Sequence, residues 1–95
     1  MVIVIVNIEL KNGSEQKFTE IFSAYREIVL RENGCISYNL SKEINLKSPN
    51  FILLEKWENR SLLDIHLSST NLKNYVNETQ SFIIKKEIEV FEVAK

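Results

Sequence analysis

The chain has 95 residues, 44% of them hydrophobic and 26% charged, which fits one globular domain over residues 1–95 and is too short for two independent cores. Its 12 basic and 13 acidic residues give a net charge of -1, which argues against nucleic acid as a partner. The only adjacent basic pair, Lys85 and Lys86, is interpreted as a solvated strand entrance, and the single cysteine favours a cytoplasmic protein without disulfides.

The first nine residues form a predicted strand with two apolar faces. Successive side chains of a strand point to opposite sides, and both sets are apolar here: Val2, Val4 and Val6 on one side, Ile3 and Ile5 on the other. Helices would cover one face and a second subunit would cover the other, so we expect a homodimer. The apolar run is far short of the ~20 residues that a membrane span needs, so no membrane association is expected.

The first helix and the second strand come next. The turn from Asn12 to Ser14 ends in an N-cap residue and predicts a helix start, and an apolar stripe at helical spacing continues to Val29. Asn33 and Gly34 supply a left-handed stop. A period of two then predicts a strand whose buried side chains are Ile36, Tyr38 and Leu40.

The rest of the chain completes a βαββαβ order. The turn-rich residues 45–50 predict an antiparallel hairpin with a long loop, leading into a third strand from Phe51 to Glu58. Ser61 with Asp64 resembles a capping box for a short helix, and Ser68 to Thr70 predicts a break before a second helix that ends near Gln80. An apolar strand finishes the chain. The predicted fold is α+β, ferredoxin-like, with an antiparallel sheet.

Two titratable residues are the candidate catalytic pair. His66, the only histidine, projects between Leu62 and Leu63 on the apolar helix face, and its ordinary pKa of about 6.5 suits proton transfer. Glu55 shares a strand face with apolar neighbours, so this carboxylate must be paired or shifted in pKa, and His66 is its candidate partner. The alternatives are a structural histidine, and a glutamate that lies on a wet face or is held by an arginine or tyrosine.

Four further residues are candidates for substrate binding. Trp57 offers a π-surface for a planar ligand or fills the core, and Tyr38 and Tyr75 offer phenols to a substrate oxygen or lie at the core edge. Asn7 interrupts an apolar strand, where a carboxamide needs a ligand, a loop or water. Cys35 has no second cysteine or histidine nearby in the sequence and is interpreted as an inert thiol.

Common cofactor and metal motifs are absent from the sequence. Two glycines cannot build a dinucleotide-binding or phosphate-binding fingerprint, and one histidine with one cysteine cannot supply a zinc or iron shell. We therefore expect no metal and no cofactor, so that any catalysis is cofactor-free or uses a ligand with its own reactivity.

Three segments together resemble the antibiotic biosynthesis monooxygenase (ABM) domain family. They are Gly34 to Tyr38, Phe51 to Asn59 and Leu63 to Ser69, and the resemblance runs through nearly the whole chain. Its most specific part is an acidic residue two positions before a tryptophan, with a histidine in the following helix. The resemblance implies a dimeric α+β barrel with a pocket between the sheet and the helices of each subunit. The family includes cofactor-independent monooxygenases of phenols or quinols, haem-degrading enzymes and an isomerase of a phosphorylated signalling sugar.

The sequence departs from some members of this family. Haem-degrading relatives have a tryptophan at the position of His66 and an axial histidine where this chain has Val76, although Asn7 matches their strand-one asparagine. Many relatives also have a second histidine at the position of Asn71. These departures argue against haem cleavage and against a mechanism with two histidines.

The leading hypothesis is a monooxygenase in which His66, supported by Glu55, removes a phenolic proton and the anion passes an electron to O2. Trp57 and Tyr38 would orient the ring, and Asn7 would hydrogen-bond the oxygenated intermediate. An isomerase of a small carbonyl or sugar-like metabolite would use the same pair without O2. The remaining alternative is a dimeric small-molecule-binding or stress protein without turnover.

Overall fold

The computed structural model describes residues 1–44 and 49–95, and the predicted loop residues 45–48 lie outside the described part. The elements are β1 (Val2–Leu10), α1 (Glu15–Val29), β2 (Cys35–Lys42), β3 (Asn50–Trp57), α2 (Arg60–Leu67), α3 (Thr70–Thr79) and β4 (Ile83–Glu92), with a 3-10 turn at Gln80–Phe82. The helical segment after β3 is thus divided in two, as the serine-rich break predicts.

The four strands form one antiparallel sheet in the order β2-β3-β1-β4. Its inner face carries Val4, Val6 and Glu55 and packs against the helices, whereas its outer face carries Ile5 and Leu54. β1 lies between two partners because its β-branched residues suit a central strand with apolar side chains on both sides. The predicted α+β ferredoxin-like fold is confirmed.

The apolar stripe of α1 packs on the inner face of the sheet. Its four buried residues recur at helical spacing: Phe18, Phe22, Tyr25 and Val29. Ser14 is the N-cap residue, as predicted, but its side chain makes no capping hydrogen bond, so packing holds the helix in place more than its cap does. Each fully buried side chain of this size contributes roughly 1.5–3 kcal/mol through the hydrophobic effect.

The prediction that Ile36 is buried is wrong. The register of β2 against β3 shifts between Cys35 and Ser37, which is a bulge. Cys35 therefore lies opposite Trp57 and packs against the core, while Ile36 is 51% exposed. Beyond the bulge the alternation resumes, and Tyr38 is buried as predicted.

The start of α2 also differs from its prediction. Asn59, in an extended conformation, is the N-cap residue, and its side-chain oxygen accepts a hydrogen bond from the Leu62 backbone N–H at 2.9 Å. Ser61 lies inside the helix. The predicted cap ahead of α3 is confirmed, because the Ser69 hydroxyl accepts from the Leu72 N–H at 3.1 Å.

The outer face of the sheet has an apolar centre that no helix covers. Ile3, Ile5, Ile52, Leu54 and Phe91 share this face in neighbouring positions of three strands. The last three are 37–43% exposed in the single chain. The second subunit that would cover this face stays a prediction. None of the helices in the described ranges has the length and apolar composition needed to cross a membrane.

Two glycines with positive φ allow a stringent test of the packing between β2 and α2. A Cβ at Gly34 (φ +88°) would lie 2.7 Å from Leu62 Cβ, whereas a Cβ at Gly13 (φ +85°) would meet no atom within 4 Å. We expect Gly34→Ala to lower the free energy of unfolding by about 2–4 kcal/mol, from backbone strain plus overpacking. Gly13→Ala, the matched control, should cost only about 1–2 kcal/mol from strain. Urea denaturation measures both, and equal losses would contradict the close contact.

Candidate active site

His66 lies at the centre of the candidate active site and is only 1% exposed. It is carried by α2, whose buried residues Leu63 and His66 are three positions apart and share the face that packs on the sheet. The inward orientation that the helical projection predicts is confirmed. A histidine with so little exposure must satisfy its two ring nitrogens inside the protein.

The imidazole of His66 lies between two carboxylates. Nδ1 is 2.9 Å from Oε1 of Glu32, and Nε2 is 3.9 Å from Oε1 of Glu55. We assign a proton to Nδ1, because an ionised carboxylate only accepts hydrogen bonds. Glu32 therefore orients the ring, and Nε2, which has no close hydrogen bond, is the nitrogen left for proton transfer.

Glu55 is a buried carboxyl group on the inner face of β3, with 4% of its surface exposed. Burial raises its pKa to about 7; the hydrogen bond from Trp57 opposes this shift and the nearby charge of Glu32 adds to it. Trp57 Nε1 donates that hydrogen bond to Oε1 at 3.0 Å. Glu55 can therefore gain or lose a proton near neutral pH.

Trp57 fills the core, which is one of the two roles predicted for it. It is fully buried, its ring lies 4.5 Å from the His66 ring between centroids, and it is not part of the cavity wall. A fully buried ring offers no face to the cavity in this structure, which favours core packing over stacking on a ligand. Trp57 instead positions Glu55 and His66.

A cavity of about 170 Å³ lies between the inner face of the sheet and the helices α2 and α3. Glu55, His66, Tyr38 and Tyr75 all line it, so the structure brings these four candidate residues together. The rest of the wall is mainly aliphatic: Val4, Val6, Ile8, Leu53, Leu67, Leu72, Val76, Ile83 and Ile88, with Thr79 and Lys86. Such a wall lowers the local dielectric constant and strengthens electrostatic interactions near it.

The tyrosines of the cavity remain protonated at physiological pH. Burial raises the pKa of Tyr38 and of Tyr75 above the ordinary tyrosine value, and the negative charge of Glu55 adds to both shifts. Tyr75 is also held in place by stacking on Tyr25, with ring centroids 4.2 Å apart. Each phenol can thus donate a hydrogen bond to a substrate oxygen.

Asn7 lies away from this cavity, so the structure does not bring it together with the other candidate residues. It is opposite Ile52 and Glu87 on the outer face of the sheet, where it is exposed. The reason is strand alternation, because Val4, Val6 and Ile8 point inward and therefore turn Asn7 outward. Its carboxamide belongs to a separate polar depression on the outer face, shared with Glu9 and Asn50.

Sequence reasoning missed two residues of the site, Glu32 and Lys86. Glu32 precedes the turn at Gly34, and nothing in its local pattern distinguishes it from a solvated loop carboxylate. Lys86 has the same strand parity as Ile88, which points it inward and towards the cavity, so alternation along β4 was the available signal.

Val76, at the position where the family resemblance puts the axial histidine of haem-degrading relatives, lies on the cavity wall and offers no atom that could bind a haem iron. Within residues 1–44 and 49–95, no three or more His, Cys, Asp or Glu side chains are grouped so that they could hold a metal ion.

Residues 1–78 match the family model described as antibiotic biosynthesis monooxygenase, which is most of the chain. The chain belongs to this family. No curated protein matches it in sequence.

Solved structures share the fold of this ABM-family chain at low sequence identity. A Deinococcus radiodurans protein provisionally named an antibiotic biosynthesis monooxygenase is 17% identical, with a TM-score of 0.91 over 100% of this chain and 94% of that one. A conserved protein from Methanosarcina mazei is 25% identical, with a TM-score of 0.89 over 96% and 90% of the two chains. SnoaB, a cofactor-independent oxygenase from Streptomyces nogalater, is 14% identical, with a TM-score of 0.84 over 99% and 94%. These likenesses show the fold.

The raised pKa of Glu55 predicts a pH-dependent stability difference between the protein and Glu55→Gln. Because the folded-state pKa of about 7 exceeds the ordinary 4.5, the protonated carboxyl stabilises the fold fully below about pH 4.5, and this contribution is lost as the pH rises through 7. Glutamine stays neutral and can still accept from Trp57. Between pH 5 and pH 8 the variant should gain stability relative to the parent by on the order of 3 kcal/mol.

Urea denaturation at several pH values measures this difference. Glu58→Gln makes the same substitution at an exposed position next to the end of β3 and is the matched control. A gain of equal size in both variants, or a constant difference for Glu55→Gln across the pH range, would contradict the buried, shifted carboxyl.

Proposed function

We propose that this protein is a cofactor-independent monooxygenase that oxidises a small phenolic or quinol-type substrate with O2. The observation that carries the proposal is the buried His66 imidazole, held between Glu32 and Glu55 on the wall of a largely aliphatic cavity. Membership of the ABM family supports it. So does the likeness in fold to SnoaB, which is named a cofactor-independent oxygenase.

The proposed first step is removal of the phenolic proton by Nε2 of His66. Glu32 accepts from Nδ1–H and stabilises the imidazolium that forms, and Glu55 accepts or returns a proton because its pKa lies near 7. A phenolate gives up an electron far more readily than a phenol, so proton removal makes O2 a competent oxidant. Tyr38 and Tyr75 orient the substrate oxygens by donating hydrogen bonds.

The remaining steps need no reductant from outside. The phenolate passes one electron to O2, and the two radicals combine to form a carbon–oxygen bond and a ring peroxide. Loss of the proton on that carbon breaks the O–O bond, and the departing oxygen takes protons from the His66–Glu55 pair and leaves as water. A hydroquinone and O2 thus give a hydroxyquinone and water, with both oxygen atoms and all four electrons accounted for.

Substitution of the proposed base tests the mechanism. His66→Gln should lower O2 consumption with a panel of hydroquinones by about 100-fold or more, since general-base catalysis contributes at least that much. Asp64→Asn, on the exposed side of the same helix, is the matched control and should consume O2 at the parental rate. An oxygen electrode measures the rates, and circular dichroism checks that both variants are folded. Unchanged consumption in His66→Gln would remove His66 from the mechanism.

The same pair also suits enolisation, which is the second candidate function. A carboxyl with a pKa near 7 beside a histidine can move a proton next to a carbonyl without any oxidant. Turnover of a small carbonyl compound under strict anaerobiosis, lost in His66→Gln, would assign the site to isomerisation instead of oxygenation.

We also propose that two chains associate through the outer faces of their sheets. The apolar centre around Ile5 and Leu54 is bordered by charged residues, which is the composition of an interface with a polar rim.

A charge at the centre of this face should prevent association. Leu54→Lys would bury two like charges near the symmetry axis, so we expect it to be monomeric where the parent has twice the mass of one chain. Ile65→Lys makes a similar change at an exposed apolar residue of α2 and should leave the parental mass unchanged. Sedimentation velocity measures the masses. A monomeric parent, or a dimeric Leu54→Lys variant, would contradict the interface.

A further inference from the structure

We propose that the substrate is a single-ring molecule carrying an anionic group, and that Lys86 binds this group at the end of the cavity away from Glu55 and His66. The inference rests on the proposed function, because it takes the His66 end of the cavity as the reacting end. It names the substrate class and a specificity-determining residue that the sequence analysis treated as solvated.

Lys86 differs from its neighbour Lys85 in the face that it occupies. Lys85 lies on the outer face, where its ammonium pairs with Glu87 at 2.9 Å. Lys86 is opposite Ile8 on the inner face and forms part of the cavity wall. Among the described residues, no carboxylate lies within 4 Å of its ammonium.

Apart from the Tyr38 and Tyr75 phenols and Nε2 of His66, which are assigned to the substrate, the other polar side chains of the wall have partners inside the protein. Thr79 donates its hydroxyl proton to the Tyr75 carbonyl at 2.8 Å, and the acid–base pair has its own internal partners. Lys86 is therefore the one cation of the cavity wall within the described chain. Lys86 is exposed, so it lies on the part of the wall that solvent reaches, and its attraction for an anion is subject to screening by salt.

The register of the sheet separates this cation from the reacting groups. Glu55 lies opposite Val4 on one side of β1, and Lys86 lies opposite Ile8 on the other. Strand geometry puts their Cα atoms roughly 16 Å apart, and both residues line the cavity. A ring with a hydroxyl at one side and a carboxylate at the other fits between them, with the hydroxyl at His66.

The size of the cavity limits the ligand to one ring. Its volume of about 170 Å³ is close to the roughly 150 Å³ of an engineered apolar cavity that binds benzene. It lies below the 300 Å³ at which pockets for drug-sized ligands typically begin. A fused second ring would exceed this volume, so it would have to displace wall side chains or project past the exposed residues Leu67 and Ile88.

Three probe compounds distinguish the effect of ligand charge on affinity from the effect of ligand size. They are 2,5-dihydroxybenzoate, its neutral analogue 2,5-dihydroxybenzamide, and the two-ring 1,4-dihydroxy-2-naphthoate. Binding is measured by isothermal titration calorimetry under strict anaerobiosis, so that no oxidation occurs. We expect the benzoate to bind at least about tenfold more tightly than the benzamide and than the naphthoate, as a charge-assisted hydrogen bond and a size limit require.

Variants at Lys86 test whether this residue causes the preference for the benzoate over the benzamide. Lys86→Met should lower benzoate affinity to that of the benzamide, and Lys86→Arg should keep the preference. Lys85→Met, one residue away on the outer face, is the matched control and should bind like the parent. Rising salt should weaken benzoate binding in the parent and have little effect on Lys86→Met.

The outcomes distinguish this inference from the proposed function. A preference for the benzoate that depends on Lys86, without any O2 consumption, would support the anion site and overturn the oxygenase. O2 consumption with equal affinity for benzoate and benzamide, or a preference unchanged in Lys86→Met, would overturn the anion site alone. Tight binding of the naphthoate would overturn the single-ring limit, and binding of none of the three probes would overturn the inference as a whole.

Discussion

The arrangement of the molecule depends on one buried group, the His66 imidazole between two carboxylates. Ionised glutamates and a histidinium are costly to bury unless their charges are matched and their hydrogen bonds are made. The second oxygen of Glu32 is buried without a hydrogen-bond partner among the described residues, so this matching is incomplete. Burial raises the pKa of Glu55 to about 7, and this relieves part of the cost because a protonated carboxyl carries no charge.

Three separate parts of the chain must meet for this arrangement to exist. Glu32 comes from the turn after α1, Glu55 from β3 and His66 from α2. The close approach of Gly34 to Leu62 joins the first part to the third, and the hydrogen bond from Trp57 fixes the second. The same contacts thus hold the helices on the sheet and set the distances between the reacting groups, so stability and chemistry cannot be varied independently here.

The periodicity of the sequence correctly predicted those features that depend on a single strand or a single helix. Alternation along β3 placed Glu55 inward, and helical projection placed His66 inward, so the centre of the site could be predicted from the sequence. Asn7 has the parity of Ile3 and Ile5 and not that of Val4 and Val6, so alternation along β1 already indicated the outer face that the structure shows for it. The bulge that exposes Ile36 and the contact of Glu32 could not be predicted, because both depend on how β2 meets β3 and α2 in three dimensions.

The pairing of β1 with β4 has a consequence for the order in which the molecule folds. Val2 is opposite Glu92, so β1 can pair with β4 only when almost the whole described chain is available. Contacts this distant in sequence carry a large loop-closure entropy and slow the folding of the elements that need them. Because Lys86 and Ile88 of the cavity wall belong to β4, the cavity is complete only when β4 has paired with β1. A nascent chain can therefore acquire its helices and its β2–β3 hairpin before it has a place to hold a ligand.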